Sequence, residues 1–181
     1  EVLTVCKGIA EPRDFSWVFR VLLASHEKAD ATLHDFAFVD EEKGFNSWEE
    51  FRKFLTIARE NEIDLRIVIP PVHAWQLELI RAMGLWDEFE FWKRRLVEIA
   101  AEEAGEAEPF PIWDLAIYNA RTNEPVPVQG EADSRMRWFY DNSHITPEYG
   151  NDLLDLVLSG NGPAIGRRLN PEAIEAHLAE I

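Results

Sequence analysis

Leu65-Arg66-Ile67-Val68-Ile69-Pro70-Pro71 is the stretch on which the fold turns. Ile67, Val68 and Ile69 form an unbroken β-branched run, and the prolines that follow cannot donate to a ladder. Such a run reads as a short strand covered on both faces, as in a parallel sheet. A second run of the same kind lies at residues 112–118 and carries Asp114. Between them, the spacing predicts a helix over residues 74–83 that stops at Gly84. Another starts near Trp86 with Phe89, Trp92, Leu96 and Ile99 on one stripe. Upstream, Ser47-Trp48-Glu49-Glu50 has the form of a capping box, with Ser47 as N-cap, opening a helix whose apolar face is Trp48, Phe51, Leu55 and Ala58.

Towards the amino end, residues 2–9 read as a strand and residues 14–28 as an amphipathic helix. Residues 31–39 are either a strand or an extended loop. Towards the carboxyl end, residues 122–130 hold two prolines and a glycine and read as a surface loop. Thr146-Pro147 opens a helix with proline at its first position, expected to bury Leu153, Leu154, Val157 and Leu158. Asn170-Pro171-Glu172 starts a short terminal helix. Residues 159–167, with three glycines, are the only linker-like stretch, so residues 1–181 are read as one domain. Strands alternating with helices predict an α/β fold, a parallel β-sheet flanked by helices on both faces. Ligands of such a sheet gather at the carboxyl ends of its strands.

Composition narrows the function classes. Hydrophobic residues make up 46% of 181, enough for a real core. The formal net charge of −16 repels phosphate backbones and anionic membrane surfaces, so no nucleic acid partner is expected. The five glutamates of residues 98–108 read as a solvated helix end. Cys6 is the only cysteine, so no internal disulfide can form, which leaves the compartment open. No apolar stretch reaches the ~20 residues of a membrane span, so no membrane insertion is expected. No Gly-rich phosphate loop or dinucleotide fingerprint is present. Gly160-Asn161-Gly162-Pro163 lacks the following Lys-Ser/Thr and reads as a helix-ending turn, and no cofactor is expected.

The candidate chemistry lies in Asp141-Asn142-Ser143-His144. A carboxylate three residues before a histidine in a turn can bond one ring nitrogen and leave the other free to take a proton. The same spacing also suits a plain turn in which Asp141 bonds its own backbone. His73, just after Pro70-Pro71-Val72, is placed at a strand's carboxyl end. There it is either a substrate contact near His144 or a solvent-facing helix start. Trp138 and Tyr140 abut the loop and either line a carbohydrate or acyl groove or face the core. Asp114 is a site residue or a paired buried acid. His26, His34 and His177 read as surface or capping residues. No His-x-x-x-His or Cys-x-x-Cys pattern exists, so no metal site is expected from His73, Asp114, Asp141 and His144.

Several of these segments together resemble the C-terminal half of the SGNH (GDSL-like) hydrolase superfamily. They are Arg66-Ile67-Val68-Ile69-Pro70-Pro71, the helix around Trp92-Lys93-Arg94-Arg95-Leu96, Ile112-Trp113-Asp114, and Asp141-Asn142-Ser143-His144-Ile145-Thr146-Pro147-Glu148-Tyr149-Gly150. The last is the most specific, with a proline and a glycine following the histidine. The resemblance implies a flavodoxin-like or SGNH-like sheet and a serine esterase or acyltransferase acting on a small-molecule or carbohydrate ester. It makes His144 the general base and Asp141 its orienting acid. Gly44-Phe45-Asn46-Ser47 echoes the family's Gly-x-Asn-Asp, which implies an oxyanion role for Asn46; the capping box accounts for the same residues. The family's Gly-Asp-Ser nucleophile motif is not found in this chain. The abrupt start Glu1-Val2-Leu3-Thr4-Val5, which enters a strand midway, leads us to expect a fragment, inactive in isolation, whose nucleophile lies upstream. The rival expectation is a non-catalytic binding or scaffold domain of the same fold. An open edge on the first strand would allow an oligomer.

Overall fold

The computed structural model describes residues 38–40, 44–127, 135–160 and 162–181. The strand expected at residues 2–9, the helix at 14–28, and His26 and His34 lie outside the described residues. So does most of the 31–39 segment. Strands β1 (Val39–Asp40) and β2 (Phe45–Asn46) pair antiparallel, and β2 leads directly into helix α1 (Ser47–Glu60). The N-cap of α1 is Asn46, not Ser47. The Asn46 side-chain oxygen accepts the amides of Trp48 at 3.0 Å and Glu49 at 3.3 Å. β2 holds Asn46 in the extended conformation that a cap requires, and asparagine caps as well as serine does. Ser47 is thereby helical, and its hydroxyl donates to the Phe38 carbonyl at 2.8 Å.

The chain continues through β3 (Ile67–Ile69), α2 (Ala74–Ala82), α3 (Trp86–Ala104), β4 (Ile112–Asp114), α4 (Pro147–Ser159), β5 (Arg167–Leu169) and α5 (Ile174–Leu178). β3 and β4 pair in parallel, with Ile67 opposite Ile112 and Ile69 opposite Asp114. β5 pairs antiparallel to β4, with Leu169 opposite Ile112. Among the described residues the sheet is therefore small, three-stranded and mixed, parallel in one pair only. β5 was the element not expected. Arg-Arg-Leu has no β-branched residue, and only Leu169 is buried. It becomes a strand because β4 has backbone groups on that edge to satisfy. Gly166 permits the approach. A Cβ there would sit 2.7 Å from Leu115 Cγ and 2.9 Å from the Asp114 carbonyl oxygen.

β4 is shorter than the seven-residue run that encodes it. Asp114 Oδ1 accepts the Ala116 amide at 3.0 Å, which turns the chain out of the ladder. Leu115, Ala116 and Ile117 remain buried all the same. One apolar cluster joins Leu55 of α1, Val97 and Ile99 of α3, Ile112, Leu169 and Leu178. A second joins Leu115, Phe139, Tyr149, Leu156 and Ile165. α4 buries Tyr149, Leu156 and Val157, whereas Leu154 and Leu158 are 51% and 60% exposed. Of the expected face, Val157 is buried and Leu153 packs against the second cluster, while Leu154 and Leu158 turn outward, since two apolar stripes on α4 satisfy the helical period. The edge contacts of Tyr149 with Phe139 and Trp138 choose between them.

The core also holds charge. Asp114 Oδ2 accepts from Lys93 Nζ of α3 at 2.6 Å and from His177 Nε2 of α5 at 2.7 Å. Lys93 Nζ donates to the Ala116 carbonyl at 3.0 Å and lies 4.2 Å from the Phe89 ring centre. Lys93 and Asp114 are wholly inaccessible and His177 is 5% exposed, so the surface or capping place expected for His177 is corrected. Burial pushes the Lys93 ammonium below its ordinary value, with the Asp114 charge opposing. Removing one member strands the other charge in the core. Asp114→Ala should lower the unfolding free energy by about 3–5 kcal/mol in urea titration. The double change Lys93→Met with Asp114→Leu should cost less than Asp114→Ala alone, because no buried charge is left uncompensated.

Candidate functional site

The segment that carries Asp141 folds back on itself before α4. Phe139 and Ile145 form an antiparallel bridge. The Tyr140 amide donates to the His144 carbonyl at 2.8 Å, and the Thr146 amide to the Trp138 carbonyl at 2.9 Å. Thr146, the N-cap of α4, uses its hydroxyl on the Arg137 carbonyl rather than on the helix. The turn so closed contains Asp141 to His144. Asp141 Oδ1 accepts the amides of Ser143 at 2.8 Å and His144 at 2.7 Å. The local turn expected of an Asx residue is therefore present. The other oxygen, Oδ2, lies 2.6 Å from His144 Nδ1. The two contacts weighed for Asp141, to its own backbone turn and to the His144 ring, are both present, one on each oxygen.

A carboxylate only accepts, so His144 Nδ1 carries the hydrogen, and in the neutral ring Nε2 carries the lone pair. The His144 side chain is 75% exposed, and no described residue bonds Nε2. Partial burial works to raise the Asp141 carboxyl. The Ser143 and His144 amides and the His144 ring outweigh it, so the group lies below its ordinary value and stays ionised beside the imidazole. Ser143 Oγ sits 3.4 Å from Asp141 Oδ1 and 3.5 Å from His144 Nδ1, on the side of the ring that Asp141 already occupies.

His73 is the N-cap of α2, and at 1% exposure it does not face solvent. Its Nδ1 accepts the Trp75 amide at 3.2 Å, and its Nε2 lies 3.0 Å from the Glu124 carbonyl oxygen, to which it donates. The ring meets Phe139 edge-on at 5.6 Å. Its main-chain amide donates to the Asn142 carbonyl at 2.9 Å, so His73 touches the loop by backbone and not by imidazole. Trp138 lies with its ring 4.0 Å from the Arg121 guanidinium and 4.4 Å from that of Arg137. Tyr140 is 66% exposed beside Asp141. The side-chain oxygen of Asn46 is engaged in capping α1, and Asp114 in the Lys93–His177 cluster. The structure thus joins Asp141, His144 and the backbone of His73, with Trp138 and Tyr140 on the adjoining segment. Among the described residues no hydrogen bond links Asn46 or Asp114 to them.

Three residues of this surround were not anticipated. Gln76 accepts from the Asn142 side chain. Thr122 is fully buried, donates to the Ile117 carbonyl at 2.8 Å, and offers its own carbonyl to the Ala74 amide at 2.7 Å. The Glu124 carboxylate accepts main-chain amides of residues 137, 138 and 139. The surface loop expected from residue 122 onward is corrected at Thr122. The turn before it, capped by Asn119 through the amides of Arg121 and Thr122, draws the hydroxyl inward. The one sequence signal was Asn119 preceding Thr122 at turn spacing.

Among the described residues no three His, Cys, Asp or Glu side chains group as metal ligands, and no helix is long and apolar enough to cross a membrane. Comparison with family models, curated proteins and solved structures finds no match to this chain.

Burial lowers the His73 imidazole below its ordinary value of 6.5, only partly offset by the Glu124 carbonyl, so the folded protein holds it neutral. As pH falls, the unfolded chain takes up this proton first. His73's contribution to stability is therefore full above about 6.5 and declines as pH drops from there towards the folded value. In urea unfolding at stepped pH, the stability gap between wild type and His73→Gln should narrow below that point. A gap that widens on acidification would contradict the assignment.

Proposed function

We propose that this chain belongs to an SGNH-type serine esterase or acyltransferase, acting on a small-molecule or carbohydrate ester, with His144 as general base and Asp141 as its orienting acid. The observation that carries the reading is the 2.6 Å contact of Asp141 Oδ2 with His144 Nδ1 on a side chain whose Nε2 no described residue occupies. A base in acyl transfer needs that arrangement. One nitrogen is held by a carboxylate so that the other presents its lone pair outward. The sequence pattern from Asp141 to Gly150, following a β3 strand that ends in Pro70-Pro71, supports the same reading. The parallel β3–β4 pair supports a larger flavodoxin-like parallel sheet with helices on both faces as part of it.

The nucleophile of this mechanism is a serine hydroxyl reaching His144 Nε2. Ser143 does not fit that role, because its oxygen lies on the Nδ1 side. The serine proton passes to Nε2 as its oxygen attacks the acyl carbonyl, and from Nε2 to the departing alcohol as the ester bond breaks. Asp141, ionised throughout, stabilises the imidazolium that forms between the two transfers. Tyr140, exposed beside Asp141, offers an aromatic face of the sort that packs against sugar rings or acyl chains, with Trp138, whose ring carries the Arg121 and Arg137 guanidiniums, on the adjoining segment, and the oxyanion assignment goes to Asn46.

The test is ester hydrolysis by the longest natural chain that contains these residues, over a panel of acyl esters. His144→Ala and Asp141→Asn should each lower kcat by about 10²–10⁴-fold. Retention of activity in His144→Ala would sink the proposal. A wild-type protein inert across the panel would replace it with the rival reading, a non-catalytic binding or scaffold domain of the same fold.

A further inference from the structure

Glu124 is placed unlike any other acid among the described residues. Its carboxylate accepts three consecutive main-chain amides, Arg137 at 2.8 Å through Oε2, and Trp138 at 2.8 Å and Phe139 at 2.9 Å through Oε1. In a flat strand, successive amides point to opposite sides. Here the backbone bends at residues 137 and 138 so that all three converge, making a concave anion-binding nest filled by a side chain of the same molecule. The residues that form the nest run directly into the bridge at Phe139 and then into Asp141.

Glu124 is itself held. Its carbonyl takes the hydrogen of His73 Nε2, and the His73 amide holds the Asn142 carbonyl at 2.9 Å. The Asn142 side chain is tied to Gln76 one turn along α2. Both sides of the Asp141 turn are thus referenced to one pair of residues, residue 139 through Glu124 and residue 142 through His73. The His73 ring fits there in one tautomer only. Its Nδ1 must accept from Trp75 and its Nε2 must donate to Glu124, the reverse of the arrangement at His144.

We infer that Glu124 and His73 are positioning residues that fix the tautomer of His144, by holding the turn in which Asp141 Oδ2 reaches Nδ1. The consequence for catalysis rests on the acyl-transfer reading above; the consequence for the ring does not. Neither residue touches the reacting atoms. Without the nest, the 137–139 amides lose a charge-assisted partner and the turn is no longer drawn to one geometry. Asp141 then shares its bond to Nδ1 with solvent, and the Nε2–H form of His144 gains population.

The experiment is long-range ¹H–¹⁵N correlation spectroscopy of the histidine rings, at a pH where His144 is neutral, on wild type, Glu124→Ala and Glu124→Gln. Wild type should show the Nδ1–H form at His144. Glu124→Ala should lower the ratio of Nδ1–H to Nε2–H by about tenfold, the size of a lost charge-assisted bond. Formate in large excess should enter the empty nest and restore the ratio. Glu124→Gln keeps an acceptor for Trp138 and Phe139 but turns an NH₂ towards Arg137, so an intermediate ratio is expected; it is the variant to read if the alanine form does not fold. A wild-type ratio in any folded variant overturns the inference. A loss that formate does not reverse overturns the nest as its cause. The signal is read on His144 itself, so an inert ester assay leaves this result standing. A variant with an unchanged tautomer would refute positioning while leaving acyl transfer intact.

Discussion

The Asp114 carboxylate is the point at which the described structure is joined. It ends β4, the middle strand of the sheet, and is fully buried. A carboxylate there must be neutralised and bonded or the core would not form. Lys93 from α3 and His177 from α5 meet that demand through one oxygen, while the other takes the Ala116 amide. One side chain therefore fixes the packing of the long helix, the docking of the terminal helix, and the bend at which β4 leaves the sheet. The apolar residues around it, Val97, Ile99, Ile112, Leu169 and Leu178, supply most of the burial. They do not by themselves choose among the rotations and shifts that bury similar area. The ionic cluster chooses, because its geometry tolerates little displacement.

From that joint outward, the structure changes from apolar packing to a lattice of backbone hydrogen bonds. β3 ends in Pro70-Pro71, and α2 begins three residues later with its N-terminal amides shared between two loops. His73 gives its amide to Asn142, and Ala74 gives its amide to Thr122. The start of a helix always has amides without intrahelical partners. Here those amides organise the loop that holds Glu124 and the loop that holds Asp141. Beneath them lies the second apolar cluster, where Phe139 packs against both Tyr149 and the His73 ring. Burial pushes the Tyr149 phenol up to about 12, so it is a neutral packing group. The exposed His144 thus stands on a support in which the His73 ring and the Tyr149 phenol are both neutral packing groups.

How much of this was legible in the residues differs by kind of signal. The β-branched run at 67–69 and the helix stripes of α1 and α3 were read correctly, because burial and period leave a pattern in every residue. Asp141 and His144 were legible because the pair is local; three residues in a turn leave few places for the two groups to be. β5 was not, because Arg167-Arg168-Leu169 has no strand preference and pairs only because β4 offers an edge. On α4, Val157 is buried and Leu153 packs inward as the period implies, whereas Leu154 and Leu158 face outward although they fit the helical period as well as Tyr149 and Leu156 do. His177 reads as a surface or capping residue, and Lys93 carries no signal of its burial, since nothing near either in the chain marks a buried carboxylate 63 or 21 positions away.

By itself, then, the sequence determined which of the described segments are helix and strand wherever apolar period or proline punctuation was strong, and it determined the contact of Asp141 with His144, because local geometry restricts both. The tertiary structure decided the mixed order of the sheet, the partners of Asp114, the capture of three amides by Glu124, and the buried neutral state of His73. Each of these joins residues distant along the chain. A polar side chain reads the same in sequence whether it meets water or a buried partner, and only the packed fold decides which.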